Sequence, residues 1–454
     1  MGLMEYLLNQ LHRAVWGPWT VAIFLTVGMG FTVKSGFFQV KGFGRWWRCT
    51  VGSIFRDGNQ KGEEGISQLQ SVCTALAATV GTGNIAGVAT ALTAGGPGAL
   101  FWMWVCAGIG MATAYAETML GMKSRIRDER GGYICGPFLY MESLLGAEWM
   151  GILYGGLCLL CALGMGSMAQ ANSAAGALSY SWRVPKSLAG IVLTGLVLLV
   201  ILGGIRRIGW VAERLVPAAS GIYILFSLLV ILPCWRQVPG ILASVIRCAL
   251  LPEAAAGGAA GYGVGQAMRY GMARGVFSNE SGLGTLAILH GAARDPSGEK
   301  QGMWAMFEVF FDTIVLCTLT ALVILCAAGP GEGPGEAQGA ALAAWCFEVR
   351  LGTVGELFTA GAMAVFAFAT MIAWFYMGRQ AAAYLGRKMG MVEEGLWLRV
   401  IYPLLFLGAV LAGSQWSTAA VWAWSDLWNG FMAFPNLTAL IFLRRQVKFP
   451  GRRE

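Results

Sequence analysis

Two short runs mix glycines with small polar side chains inside otherwise apolar stretches: Val80-Gly81-Thr82-Gly83-Asn84, and Phe277 to Gly284, reading FSNESGLG. Glycine lets a chain leave helical geometry and brings bare amides and carbonyls to a ligand. The amide end at Gly83 and Asn84 suits an anionic group. The carbonyl ends, near Ala77 to Val80 and Val276 to Ser278, suit a cation or an ammonium. Asn279, Glu280 and Ser281 add side-chain oxygens ahead of Gly282. Glu117, Glu280, Glu308 and Asp312 also sit in apolar stretches, and Glu308 and Asp312 share a helix face at i, i+4. Two such carboxylates could relay a proton or line an ion path; equally, they could pair with a cation such as Arg269 or Arg274. His290 ends the second run's helix, either as a pH sensor or as a C-terminal helix charge.

The elements that must position these groups follow from composition. Hydrophobic residues are 56% of the 454 and charged residues 12%, with a mean hydropathy of +0.61, against roughly 25% charged in soluble domains. This describes an integral membrane protein. Apolar stretches able to cross a hydrocarbon core of roughly 30 Å lie near 16–33, 67–94, 98–121, 150–178, 187–205, 211–234, 262–290, 302–328, 353–378, 397–413 and 417–442. The expected fold is all-α and polytopic, with about 11 transmembrane helices. An N-terminus outside and a C-terminus in the cytoplasm put 23 basic residues on the inner side and six on the outer, as the positive-inside rule requires. The net charge of +8 is then topology and contact with anionic membrane lipid, with no call for nucleic acid. The run after Trp16 reads as a retained span rather than a removed signal. Cys158 and Cys161 read as small packing residues, and 329–352 as a flexible outer connection.

Charged side chains within spans are expensive and count as functional candidates. An unwound backbone at membrane depth survives only when buried in protein or lining a water-filled cavity. The interrupted spans are the second and the seventh, five apart, which suggests one extra helix followed by two five-helix units crossing in opposite senses. The chain then divides into 1–66 (extra helix and basic connection), 67–250 (first repeat, broken at 80–84), 251–443 (second repeat, broken at 277–284) and 444–454 (basic tail). Such inverted repeats bind at mid-membrane, between the broken helices. A ligand with a carboxylate and an amine, accompanied by a metal cation, satisfies both kinds of exposed helix end: an amino acid with sodium. Gly83-x-x-x-Gly87 could also serve close helix packing, but packing explains neither Asn84 nor the second break.

The runs VGTGNIAGVATALTAGGPGALFWMW (80–104), GGYICGPFLYME (131–142), MAQANSAAGAL (168–178), GVFSNESGLGTLAILHGAA (275–293) and EVFFDTIVLCTLTAL (308–322) closely resemble the alanine or glycine:cation symporter family, over about residues 66–440. The resemblance implies a bacterial or archaeal inner-membrane carrier of the leucine-transporter fold, importing small neutral amino acids with Na⁺. Substrate contacts would fall on Thr82, Gly83, Asn84, Asn279, Ser281 and Gly282 of the breaks, on Gln170 and Asn172, and on Thr370 and Trp374. The Na⁺ ligands would be the carbonyls of Ala77 and Val80 with the Thr370 hydroxyl. Gln170 needs a partner for its amide, either a ligand or a neighbouring helix. Trp374, one turn beyond Thr370, would wall the pocket or pack between helices, and Thr370 could instead bond within its own helix. The chain departs from the family at Ala369, where serine is usual, at Arg379, where an acidic residue is usual, and at Leu286-Ala287, where Ala-Pro is usual. The missing hydroxyl at 369 leaves three options: a weaker sodium site, a water completing the shell, or H⁺ as the coupling ion.

Enzymatic chemistry finds no support. The only histidines are His12 and His290, no H-E-x-x-H occurs, and GTGNIAG misses the dinucleotide spacing by one residue. No cofactor and no nucleotide are expected, with Na⁺ acting as the coupling ion.

Overall fold

The computed structural model describes residues 15–54, 66–128, 132–251, 259–295, 297–327, 339–391 and 395–451. The principal helices, in chain order, are α1 (Pro18–Ser35), α2 (Gln68–Thr79), α3 (Ala86–Gly95), α4 (Gly98–Ser124), α5 (Glu148–Ser181), α6 (Lys186–Ile201), α7 (Gly204–Cys234), α8 (Val238–Leu250), α9 (Ala259–Asn279), α10 (Thr285–His290), α11 (Gly298–Ala327), α12 (Ala340–Leu351), α13 (Thr353–Lys388), α14 (Trp397–Gln415) and α15 (Thr418–Leu443). Six of them, α4, α5, α7, α11, α13 and α14, are long and apolar enough to cross a membrane. The pair α2 and Thr82–Gly95, bent by 51°, makes a seventh if counted as one span. The chain is a multi-pass, predominantly helical membrane protein. On α6 and α7, Ile191, Leu199, Ile222, Leu225 and Leu229 are exposed, apolar surface that hydrocarbon covers and water would not.

Local chemistry sets the helix ends that matter. Ser67 starts α2 with a capping box: its hydroxyl accepts from the Gln70 amide at 3.1 Å, and the Gln70 side chain accepts from the Ser67 amide at 3.3 Å. Ser297 caps α11 in the same sense, accepting from the Lys300 amide at 3.2 Å. Three long helices carry π segments, Gly164–Met168 within α5, Phe310–Cys317 within α11 and Trp397–Ile401 at the start of α14. Wide turns of this kind re-aim the side chains that follow them. Glycines in the first segment admit indoles from neighbouring helices: Gly164 meets Trp424 and Gly166 meets Trp374 so closely that a Cβ would collide.

Three expectations need correction. The second interruption begins at Glu280, not Phe277, because the Glu280 amide still closes a helical bond to the Val276 carbonyl at 2.9 Å. The left-handed residues follow, with φ of 57° at Glu280, 87° at Gly282 and 80° at Gly284. The supposed connection 329–352 contains the helix α12; its first part, 329–338, lies outside the described residues. Between α4 and α5 the chain forms a small antiparallel hairpin, β1 (Ile126–Arg127) with β2 (Tyr133–Ile134), which periodicity over two residues could not announce. His12 also lies outside the described residues.

Candidate functional site: two helix breaks joined at a buried carboxylate

At the first break the last regular bond runs from the Val80 amide to the Leu76 carbonyl, at 2.7 Å. In a continuous helix the amides of Gly81 and Thr82 would reach back to Ala77 and Ala78. Instead the Gly81 amide donates to Asn84 Oδ1 at 2.9 Å, and the Thr82 amide and hydroxyl donate to Gln170 Oε1 at 3.2 and 2.9 Å. The Asn84 amide turns to the Gly81 carbonyl at 3.3 Å, which takes from the Val80 carbonyl its usual donor. The carbonyls of Ala77 and Val80 thereby lose their helical partners. Thr370 of α13 donates its hydroxyl to the Ala77 carbonyl at 2.9 Å. Gln170 follows the π segment of α5 and is held by its own amide donating to the Met165 carbonyl at 3.1 Å.

The second break is held from four sides. Ser281 donates its amide and hydroxyl to Asn279 Oδ1 at 3.1 and 2.8 Å, and Asn279 donates to the Thr313 hydroxyl at 3.1 Å. The Gly282 carbonyl accepts from Asn436 at 2.8 Å and the Leu283 carbonyl from the Tyr154 hydroxyl at 2.6 Å. Asn436 also donates to Glu117 Oε1 at 2.5 Å and bonds the Tyr140 hydroxyl. Glu280 accepts from the Trp374 indole at 2.9 Å.

The two breaks touch. A Cβ on Gly83 would stand 3.2 Å from the Phe277 ring and 3.5 Å from Ser278 Cα. Asp312 joins them: Asn84 donates to Oδ1 at 2.5 Å, and Ser278 and Thr313 donate to Oδ2 at 2.8 and 2.9 Å. Glu117, Glu280, Glu308 and Asp312 are all fully buried, where a carboxylate is costly, and of the four Asp312 is the one bonded on both oxygens.

The structure thus brings together Thr82, Gly83, Asn84, Gln170, Asn279, Ser281, Gly282, Thr370 and Trp374 around the breaks, with Ala77, Val80, Glu280 and Asp312. Asn172 is elsewhere: it donates to the carbonyls of Gly413 and Trp416 at 2.8 and 2.9 Å, at the end of α14. The carbonyl of Val276, counted among the free ends, is taken by Glu280. Glu308 and Asp312 bond to different partners. The π segment begins between them and turns Asp312 to the breaks, while Glu308 meets His290 at 3.1 Å. Arg274 pairs instead with Asp426 of α15, with its guanidinium 4.8 Å from the Trp422 ring. His290 is fully buried between Gln301 and Glu308. The sequence reading missed Asn436, Tyr140 and Tyr154; a lone asparagine in the apolar run FPNLTALIF was the available signal for the first.

A model of the sodium:alanine symporter family matches residues 1–449. A transporter of Haemophilus influenzae is 38% identical over 447 residues, covering 98% of this chain and 94% of that protein. The sodium/alanine symporter AgcS of Methanococcus maripaludis is 36% identical, over 96% of this chain and 94% of its own. The probable sodium/glutamine symporter GlnT of Bacillus subtilis is 31% identical, over 98% and 89%. This is a family of transporters, not of enzymes. On this match along almost its whole length, the chain belongs to the sodium:alanine symporter family.

Proposed function

We propose that the protein imports a small neutral amino acid, alanine or glycine, in symport with Na⁺, through a site shared by the two helix breaks. The observation that carries this is the first break: two carbonyls, of Ala77 and Val80, stripped of helical donors, with the Thr370 hydroxyl on one of them. Hard oxygens of this kind suit an alkali cation. The amides of the same break, with Asn279, Ser281 and Gly282 opposite, suit the carboxylate and ammonium of an amino acid, and Trp374 limits the side chain. Ion and substrate favour one occluded state, which is how a downhill ion drives an uphill solute without covalent chemistry.

The same reading extends to the frame: eleven spans as two inverted five-helix repeats after one extra helix, with the leucine-transporter fold, in the bacterial or archaeal inner membrane. The charge bias supports an outer N-terminus and a cytoplasmic C-terminus. A second reading, coupling to H⁺, is favoured by one observation: Ala369, beside Thr370, brings no hydroxyl to the cation position. Uptake by proteoliposomes of a panel of labelled amino acids, with Na⁺ replaced by K⁺ at fixed pH, tests both. Na⁺-driven accumulation of alanine or glycine is expected. Accumulation that follows a pH gradient and ignores Na⁺ selects the second reading, and no uptake under either gradient refutes both.

A further inference from the structure

The inner halves of the broken helices are strapped together at the end the charge bias assigns to the cytoplasm. Ile66, just before α2, forms a parallel bridge with Ala293, just after α10, and the Ser71 hydroxyl donates to the Leu289 carbonyl at 3.4 Å. Beside this strap runs a chain of polar groups that the transport site does not use. Gln68 of α2 and Gln301 of α11 form a reciprocal amide pair, with Gln301 Nε2 donating at 2.6 Å and Gln68 Nε2 at 3.2 Å. Gln301 Oε1 also faces His290 Nδ1 at 2.9 Å, and His290 Nε2 faces Glu308 Oε2 at 3.1 Å. Gln301, His290 and Glu308 have no solvent exposure.

The bonding pattern counts protons. With the amides oriented as found, Nδ1 meets a carbonyl oxygen and so carries a hydrogen. Nε2 and the Glu308 oxygen then share one more, as imidazolium and carboxylate or as imidazole and carboxylic acid. In either form the pair is neutral overall and holds one exchangeable proton. Taking it away leaves a net negative charge on a desolvated carboxylate whose Oε1 has no hydrogen-bond partner among the described residues, a state that admitted water would relieve.

We propose that His290 and Glu308 bind one proton and act as a latch on the cytoplasmic end, closed while the proton is held and opening as the proton passes to cytoplasmic water. This deepens the transport reading and rests on it. The surrounding charges belong to several elements. Cys73 of α2 is within electrostatic reach of Glu308 and of Glu213 of α7, and Glu280 at the break is within reach of Glu308 and Asp312. α4 and α13, which pack on α10, carry Glu117 and Arg379 along their lengths. Arg125 donates to the carbonyls of Gly291 and Ala293 at 3.2 and 2.7 Å, fixing the backbone beyond His290.

The test uses the full-length protein in proteoliposomes, with labelled alanine, an inward Na⁺ gradient, fixed external pH and internal pH stepped between 6 and 8. Wild-type uptake should quicken as internal pH rises, by at most about tenfold per unit, the limit for one linked proton. Glu308→Gln, which has no proton to lose, should give slower uptake with no response to internal pH, and His290→Gln should also flatten the profile. Na⁺-dependent alanine binding by each variant checks its folding. A flat wild-type profile overturns the latch, as do folded variants that keep the wild-type response. Absence of Na⁺-driven alanine uptake by the wild type at every internal pH is a different failure, that of the transport reading.

Discussion

Gly81→Ala puts one methyl group into the proposed cation position. Gly81 has φ −131° and ψ −159°, extended backbone that alanine adopts without strain, so the cost is contact alone. The new Cβ would lie 2.5 Å from the Thr370 hydroxyl oxygen and 3.3 Å from Gln170 Oε1. Thr370 must therefore swing away from the Ala77 carbonyl. Overpacking of this kind costs about 1–3 kcal/mol. If that cost falls on the ion site, the Na⁺ concentration for half-maximal uptake rises about 5- to 140-fold, at 1.4 kcal/mol per tenfold. Thr370→Ala removes the hydroxyl and, with it, the collision. The double variant Gly81→Ala/Thr370→Ala should then be no worse than Thr370→Ala, a non-additivity of about 1–3 kcal/mol. The assay is Na⁺-dependent alanine uptake by the four proteins. Wild-type Na⁺ dependence in Gly81→Ala, or strict additivity in the double variant, would refute the reasoning.

Asn172→Ala removes two bonds to the end of α14, so thermal unfolding in detergent should show a loss of about 1–3 kcal/mol; an unchanged half-saturation for alanine would mark Asn172 as a tie rather than a substrate contact. Arg274→Met takes one buried guanidinium partner from Asp426 and should cost about 1–3 kcal/mol, part of it recovered in Arg274→Met/Asp426→Leu, with melting temperatures as the check. Glu142 is a surface case: partial burial disfavours its charge, but hydrogen bonds from Lys388 and Tyr384 at 2.7 Å outweigh this and hold the carboxyl below the usual glutamate range. A lowered folded-state value means stability present above the unfolded value and lost as pH falls through the folded one. Glu142→Gln should therefore melt slightly below wild type at neutral pH and converge with it under acid; a gap that widens under acid would contradict this assignment.

What could be seen in the sequence was whatever one helix decides for itself. Apolar length marked the long helices, and Gly81 with Gly83 marked the first break, because both are local demands on a backbone. The onset of the second break came out three residues early, since Phe277 to Asn279 are polar or bulky yet remain helical, and only the left-handed positions after them fix the turn. Partnerships were the illegible part. An i, i+4 spacing put Glu308 beside Asp312, but a π segment begins between them and gives them different partners, and no periodicity announces it. Arg274 chose Asp426, 152 positions away, which is a fact of helix packing. Asn172 looked equivalent to Gln170 until α14 was in place.

The central claim is that the two breaks hold amino acid and Na⁺ together, and equilibrium binding of labelled alanine to the purified protein tests it most directly. Alanine should bind at least about tenfold more tightly in Na⁺ than in K⁺, and alanine should tighten Na⁺ by the same factor, as linkage requires. Alanine affinity indifferent to Na⁺ would contradict the account.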